Sequence, residues 1–140
     1  MAALMVDTCV WIDVAHGAID LDSIYNIAGS ELIYVSAITL GELEFGAQIP
    51  NDPRERAERT ALFRAVERMP VLEVTRGTAQ SFGWLAITMK HAGRNPRPRY
   101  NDLWIAAQAH EHRLALLTSN PGDFRALDVI DIIEAPKKAH

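Results

Sequence analysis

At 140 residues the chain is long enough to bury a core and short enough to form one domain. With 49% hydrophobic and 23% charged residues it has the composition of a folded globular protein, and no apolar run approaches a membrane span. A net charge of -4 argues against a binder that holds nucleic acid on a uniformly basic surface, but it leaves room for an enzyme that gathers a cation in an acidic pocket.

The chain opens with Met1-Ala2-Ala3-Leu4, which has no basic segment ahead of a long apolar one, so no secretory signal is expected. Leu4-Met5-Val6 predicts a buried strand that ends in Asp7-Thr8, followed by a helix carrying Val10, Trp11, Ile12 and Val14 to about Gly17. Cys9, the single cysteine, excludes an intramolecular disulfide and fits a reducing, cytoplasmic compartment. It reads as a small buried residue, because nothing nearby would activate its thiol. Residues 20–28 predict a short helix stopped by Gly29, and residues 31–35 a second strand.

Ser36 is a candidate N-cap for a helix over 37–48, with Glu42 in its second turn and Gly41 and Gly46 as close-packing points. Asp52-Pro53-Arg54-Glu55 predicts a capping box with proline in the first helical position, opening a charged helix to about Arg68. Residues 71–74 predict a third strand, and 78–92 a helix stopped by Gly93. The segment from Arg94 to Arg99 carries three arginines and two prolines and is expected to hold no helix. A helix apolar nearly all round follows, opened by Tyr100 or Asn101 as its cap, with Asp102 in its first turn. Residues 114–117 form the next expected strand, 118–124 a turn and 129–133 the last strand, and 136–140 are expected to fray. Trp11, Trp84 and Trp104 are expected in the core. His110 and His112, two apart on a helix, point to different faces and read as surface residues, not zinc ligands.

Alternating strands and helices predict an α/β fold: a three-layer sandwich with a mostly parallel sheet of about five strands and helices on both faces, as one domain over residues 1–135. Right-handed crossovers place the strand carboxyl ends on one edge, where open α/β sheets bind their ligands. Four acids fall at that edge: Asp7, Glu42, Asp102 and Asp123, with Thr8, Thr118, Ser119 and Asn120 adding neutral oxygens. Singly, each acid has a structural explanation: Asp7 and Asp123 could cap helical turns, and Glu42 could be a surface acid. Together they make a carboxylate cluster that needs a cation to neutralise it. Ligands that are oxygen alone favour Mg²⁺ or Mn²⁺ over zinc. Such a site suits phosphodiester hydrolysis, and Arg94, Arg97 and Arg99 beside Asp102 suit phosphate oxygens.

The strand ending Val6-Asp7-Thr8 with Val10-Trp11-Ile12-Asp13, the segment Ser36 to Gly46, Asn101-Asp102-Leu103-Trp104-Ile105-Ala106-Ala107, and Leu117-Thr118-Ser119-Asn120-Pro121-Gly122-Asp123-Phe124 resemble, in order, the motifs of a PIN domain. More closely they resemble VapC-type toxins of toxin–antitoxin pairs. The resemblance implies a Mg²⁺- or Mn²⁺-dependent endoribonuclease, with Asp7, Glu42 and Asp102 matching the family's main acids. The fourth position is open between Asn120 and Asp123, and with it the number of bound ions. The resemblance further implies a homodimer that cuts structured RNA such as tRNA in a single-stranded loop. It implies silencing by a cognate VapB-type antitoxin whose C-terminal segment fills the acidic groove. Two alternatives remain: a non-catalytic module whose acids bind a basic peptide, and a DNA nuclease of the same fold. A receiver domain is disfavoured because the lysines are Lys90, Lys137 and Lys138, none near the end of a late strand.

Overall fold

Leu4–Val6 (β1) is buried on both faces and is the central strand of a five-stranded sheet in the order β3-β2-β1-β4-β5, with every pairing parallel. A continuous apolar run is what a strand covered by helices on both sides requires. The other strands are Ile33–Ser36 (β2), Val71–Leu72 (β3), Ala115–Thr118 (β4) and Ile132–Glu134 (β5). The computed structural model of the chain describes residues 3–138. Successive side chains of a strand point to opposite faces. Leu4 and Val6, Ile33 and Val35, and Ala115 and Leu117 therefore enter one core, while Met5, Tyr34 and Leu116 face the other.

Each of the first three crossovers carries two helices, and the last, from β4 to β5, only a 3-10 turn. Thr8–Ala15 (α1) and Leu21–Ala28 (α2) lead from β1 to β2, Ala37–Gln48 (α3) and Pro53–Val66 (α4) to β3, and Arg76–His91 (α5) and Tyr100–Glu111 (α6) to β4. The first two pairs contribute Val10, Trp11, Ile24, Leu43 and Val66 to one core. The third pair covers the opposite face with Leu85, Met89, Leu103, Ile105 and Ala106. Gln108 is fully buried within α6, and its amide donates to the carbonyls of Leu72 and Glu73, tying that helix to the end of β3.

The helix ends explain several local departures from expectation. Asp52 caps α4 through the Arg54 N–H, but no reciprocal box forms, because Glu55 pairs with Arg59 one turn on. The capping box lies at α5, where Thr75 and Thr78 serve each other. The arginine-rich segment does hold a short 3-10 turn, Arg97–Arg99, since proline's fixed φ suits a first helical turn. That turn runs straight into α6, so Asn101 lies inside the helix and caps nothing; Arg99 occupies the cap position without a side-chain capping bond. A Cβ on Gly41 would meet open space, so close packing does not explain that glycine. Trp11 is 3% exposed and in the core, whereas Trp84 is 47% exposed and lies against the His110 ring. The segment expected to fray is held at Lys138 by a hydrogen bond to the Ala18 carbonyl; residues 139–140 lie outside the described residues.

Candidate active site at the carboxyl edge of the sheet

The strand order reverses between β1 and β4: from β1 the chain builds outward to β2 and β3, then returns to β4 on the other side. Such a switch point opens a crevice at the carboxyl ends of the two strands. Asp7 follows β1 and Thr118 ends β4, so both stand at its mouth. The Asp7 N–H extends the ladder by donating to the Leu117 carbonyl at 2.9 Å. The Asp7 side chain is fixed in turn. Oδ1 accepts from the Thr8 N–H at 2.8 Å, and Oδ2 accepts from the Thr118 hydroxyl at 2.9 Å and from Cys9 Sγ at 3.4 Å. Asp7 thus caps α1 and faces the crevice at the same time.

Glu42 is brought in from α3. Ser36 ends β2 and caps α3 through the Ile38 N–H at 3.0 Å, which aims the helix away from the sheet edge. Thr39 then lies buried with its hydroxyl 2.9 Å from that of Thr8, and Thr8 donates to Glu42 Oε1 at 2.8 Å. Asp102, in the first turn of α6, completes the group from the opposite layer. Asp123 lies in the 3-10 turn Pro121–Phe124, whose Phe124 is anchored in the core.

Three of the acids are shifted by burial and by neighbouring charge. Burial, then the charges of Asp7, Asp123 and Glu42, push the Asp102 carboxyl up to about 6, against the opposing pull of Arg99. Burial also raises Asp7 above the ordinary carboxylate value despite its hydrogen bonds from Thr118, Cys9 and Thr8, and the charge of Asp123 adds to the rise. Burial raises Glu42 as well, with Thr8 opposing, Asp7 reinforcing and the Asn101 side chain opposing. Burial and the Asp7 charge push the Cys9 thiol up, which keeps it protonated and non-nucleophilic. Among the described residues none of these carboxylates is in an ion pair; the pairs present are Arg59 with Glu55 and His112 with Glu111.

The neutral oxygens divide. Thr8 and Thr118 serve the acids directly. Ser119 turns aside and donates to Asp13 Oδ2 at 2.7 Å, bracing the end of β4 against α1. Asn120 engages through its backbone N–H, which donates to the Thr118 hydroxyl at 3.1 Å. Arg94 directs Nη1 at the carbonyls of Asp123 (3.4 Å) and Arg125 (3.0 Å), so it braces the Asp123 turn. Arg99 donates to the Asn95 carbonyl at 3.3 Å, and Arg97 is exposed. Sequence reasoning missed Thr39, Asn101 and Asp13 as supports. Thr39 had a signal, standing one helical turn before Glu42, whereas Asp13 reaches Ser119 only through the tertiary fold.

The donor set fits a hard divalent cation: carboxylate and hydroxyl oxygens alone, mutually repelling and without a protein cation paired to them. The carboxylates stand within charge reach and not around one point: among the described residues, no three acid, histidine or cysteine side chains form a ready-made cage.

A family model described as "PIN domain" matches residues 4–130. Ribonuclease VapC5 of Mycobacterium tuberculosis is 35% identical over 127 residues, which span 91% of this chain and 89% of that protein. Ribonuclease VapC4 of the same organism is 30% identical over 129 residues, 92% of this chain and 94% of that protein. Among solved structures, VapBC-5 of Mycobacterium tuberculosis, a member of the VapBC family of toxin–antitoxin systems, superposes with a TM-score of 0.79 at 32% identity, covering 96% of this chain and 100% of that one. The chain belongs to the PIN-domain family, within its VapC-type group.

Proposed function

We propose that the protein is a toxin endoribonuclease that hydrolyses RNA at the switch-point crevice and is neutralised by a VapB-type antitoxin. The convergence of Asp7, Glu42, Asp102 and Asp123 on one another's charge carries this reading. The VapC names of its relatives and the toxin–antitoxin system of its structural neighbour support it.

Asp7 and Asp102, with Glu42 and Asp123 assisting, would hold Mg²⁺ or Mn²⁺. When bound, such an ion activates a water and offsets charge on phosphate oxygens. The chain's own residues do the rest. Thr118, Cys9 and the Thr8 N–H stabilise Asp7 as an anion at a buried site. Thr8 and Asn101 orient Glu42. Arg97 and Arg99 stand where a phosphodiester backbone would pass and supply planar donors to its oxygens. Arg94 holds the turn that carries Asp123.

The substrate we favour is tRNA or another structured RNA cut in a single-stranded loop. The antitoxin segment would lie in the cleft of about 520 Å³ between α1, α3 and α4, which has an apolar floor of Ile12, Leu43 and Leu62 and acids Glu42, Glu55 and Glu58 at its rim. Exposed Phe45 on α3 and Ile49 just after it suit a homodimer contact. We further take residues 1–135 as one domain acting in the cytoplasm. Among the described residues no helix is long and apolar enough to cross a membrane.

The test is cleavage of one sequence supplied as single-stranded RNA and as single-stranded DNA, with Mn²⁺ and with EDTA. Metal-dependent cutting of the RNA alone supports the reading. Cutting of the DNA alone would make the chain a DNA nuclease of the same fold.

A further inference from the structure

Beyond the acids lies a second concentration of charge, of opposite sign. Lys90 lies in the last turn of α5, Arg94, Arg97 and Arg99 line the connection to α6, and Arg125 follows the Asp123 turn. Among the described residues none of the five is in an ion pair. Three of them are close enough to repel: burial, then the charges of Arg99 and Arg125, pull the Arg94 guanidinium below its ordinary value, against the opposing charge of Asp123. Like charges crowded without ion-pair partners cost stability unless an anion is to be held there. In a chain of net charge -4 the crowding is local and not a general surface property.

The cluster encloses a hollow. A cavity of about 510 Å³ is lined by Lys90, Arg94, Asn95, Pro96, Arg97 and Tyr100. Its wall combines cations with one aromatic face. Tyr100 is 42% exposed, and its ring is held edge-on by Phe82 at 5.4 Å, itself stacked on Trp104 at 4.0 Å. A ring braced on one side and open on the other is the platform that single-stranded nucleic acid uses for a base, beside cations for its phosphate. Tyr100 and Asp102 stand two residues apart on α6, on opposite flanks of a helix about 10 Å across. Arg99 lies between the two regions, acting on Arg94 on one side and Asp102 on the other. A strand leaving the carboxylates would cross this width to reach the cavity.

We propose that this cavity is a nucleotide subsite for the RNA strand running out of the active site, in which Lys90 and Arg97 hold a phosphate neighbouring the cleaved one and Tyr100 stacks its base. The inference rests on the reading that RNA is the substrate. It makes Lys90, Arg97 and Tyr100 positioning residues for the strand, outside the chemistry.

The experiment is equilibrium binding of a fluorescein-labelled single-stranded oligouridylate by the full chain carrying Asp102→Asn, measured across salt concentrations. Adding Lys90→Ala and Arg97→Ala together is expected to weaken binding at least tenfold. It should also lower the slope of log affinity against log salt by about 1.4, the counterion release of two cations on a single strand. Tyr100→Ala is expected to weaken binding fivefold or more, and Tyr100→Phe to restore it, since stacking needs the ring and not the hydroxyl. Arg54→Ala, on distant α4, is the control and should change neither quantity. An unchanged slope in the Lys90/Arg97 pair, equal weakening by Arg54→Ala, or no measurable binding overturns the subsite. Cleavage by the chain with Asp102 intact separates this from the proposed activity. A protein that binds through the cavity but cuts no RNA keeps the subsite and loses the activity; one that cuts RNA with binding indifferent to these variants does the reverse.

Discussion

Thr8 donates a hydrogen bond of 2.8 Å to Glu42, 34 residues away in sequence, and so couples the helix after β1 to the helix after β2. The same residue gives its N–H to Asp7, so one residue orients two of the site's acids. Replacing Thr8 by valine keeps the shape and removes the hydroxyl. Glu42 then keeps only Asn101, and the buried Thr39 hydroxyl loses its partner, which costs about 1–2 kcal/mol. Urea unfolding should show that loss for Thr8→Val and little of it for Thr8→Ser. Mn²⁺ affinity measured by calorimetry should fall in the valine variant, and an undiminished affinity would mean Glu42 needs no such support.

Asp102 is a group the fold tolerates without favouring. A carboxyl raised to about 6, from an ordinary 3.8, is less easily ionised in the folded chain than in the unfolded one. Its protonated form therefore favours folding, fully below about 4, and that contribution is lost as pH rises to about 6. Asp7 and Glu42 are shifted in the same direction. Asp102 is only partly buried, so solvent screening reduces the effect to about 1 kcal/mol. Metal-free protein should melt higher at pH 5 than at pH 8. At pH 8 Asp102→Asn should melt a few degrees above the parent and show a flatter pH dependence. A lower melting temperature for Asp102→Asn would assign the carboxylate a stabilising partner that the geometry does not contain.

The same repulsion predicts what a divalent ion does to stability. An ion that binds the folded state alone stabilises it by mass action, by about 2.7 kcal/mol at one hundred times its dissociation constant. Mn²⁺ and Mg²⁺ should raise the melting temperature of the parent in a concentration-dependent way, and EDTA should reverse it. The Asp7→Asn and Asp102→Asn variants should respond weakly. An equal shift in all three proteins would place the ion elsewhere.

The sheet, its parallel sense and most helix boundaries were legible in the sequence because they rest on local rules. Apolar runs such as Leu4-Met5-Val6 mark covered strands, and Ser36 and Asp52 are side chains that satisfy free N–H groups at helix starts. The acids could be gathered at one edge by topology alone. What topology does not carry is side-chain direction. Ser119 and Thr118 are adjacent, yet one serves Asp13 and the other Asp7, because successive residues at a strand end face opposite ways. The opening of α6 was misread at Asn101, because the Arg97–Arg99 turn extends the helical path upstream and frees that side chain for Glu42. Arg94 reads as a phosphate ligand in sequence, and only the tertiary fold shows its Nη1 bonded to two carbonyls.

One helix end offers a test away from the site. After α5 the chain closes with Gly93 at φ +83°, its N–H bonded to the Lys90 carbonyl and the next N–H to Met89. After α6 the same pair of bonds runs from Arg113 to His110 and from Leu114 to Ala109, but Arg113 holds the left-handed conformation at φ 55° with a full side chain. Glycine adopts that conformation without penalty, whereas another L-residue there costs about 1 kcal/mol. Arg113→Gly should therefore raise stability by up to about 1 kcal/mol in urea unfolding. Destabilisation instead would assign the Arg113 side chain a contact worth more than the backbone strain.

The central claim is that Asp7, Glu42, Asp102 and Asp123 form one metal-dependent RNA-cutting site. The most direct measurement is digestion of a total tRNA pool by the antitoxin-free protein with Mn²⁺, with Mg²⁺ and with EDTA, beside folded Asp7→Asn and Asp102→Asn variants. Discrete fragments that require the metal and disappear in both variants are the predicted result. Full cleavage by either variant, or cleavage undiminished by EDTA, would contradict it.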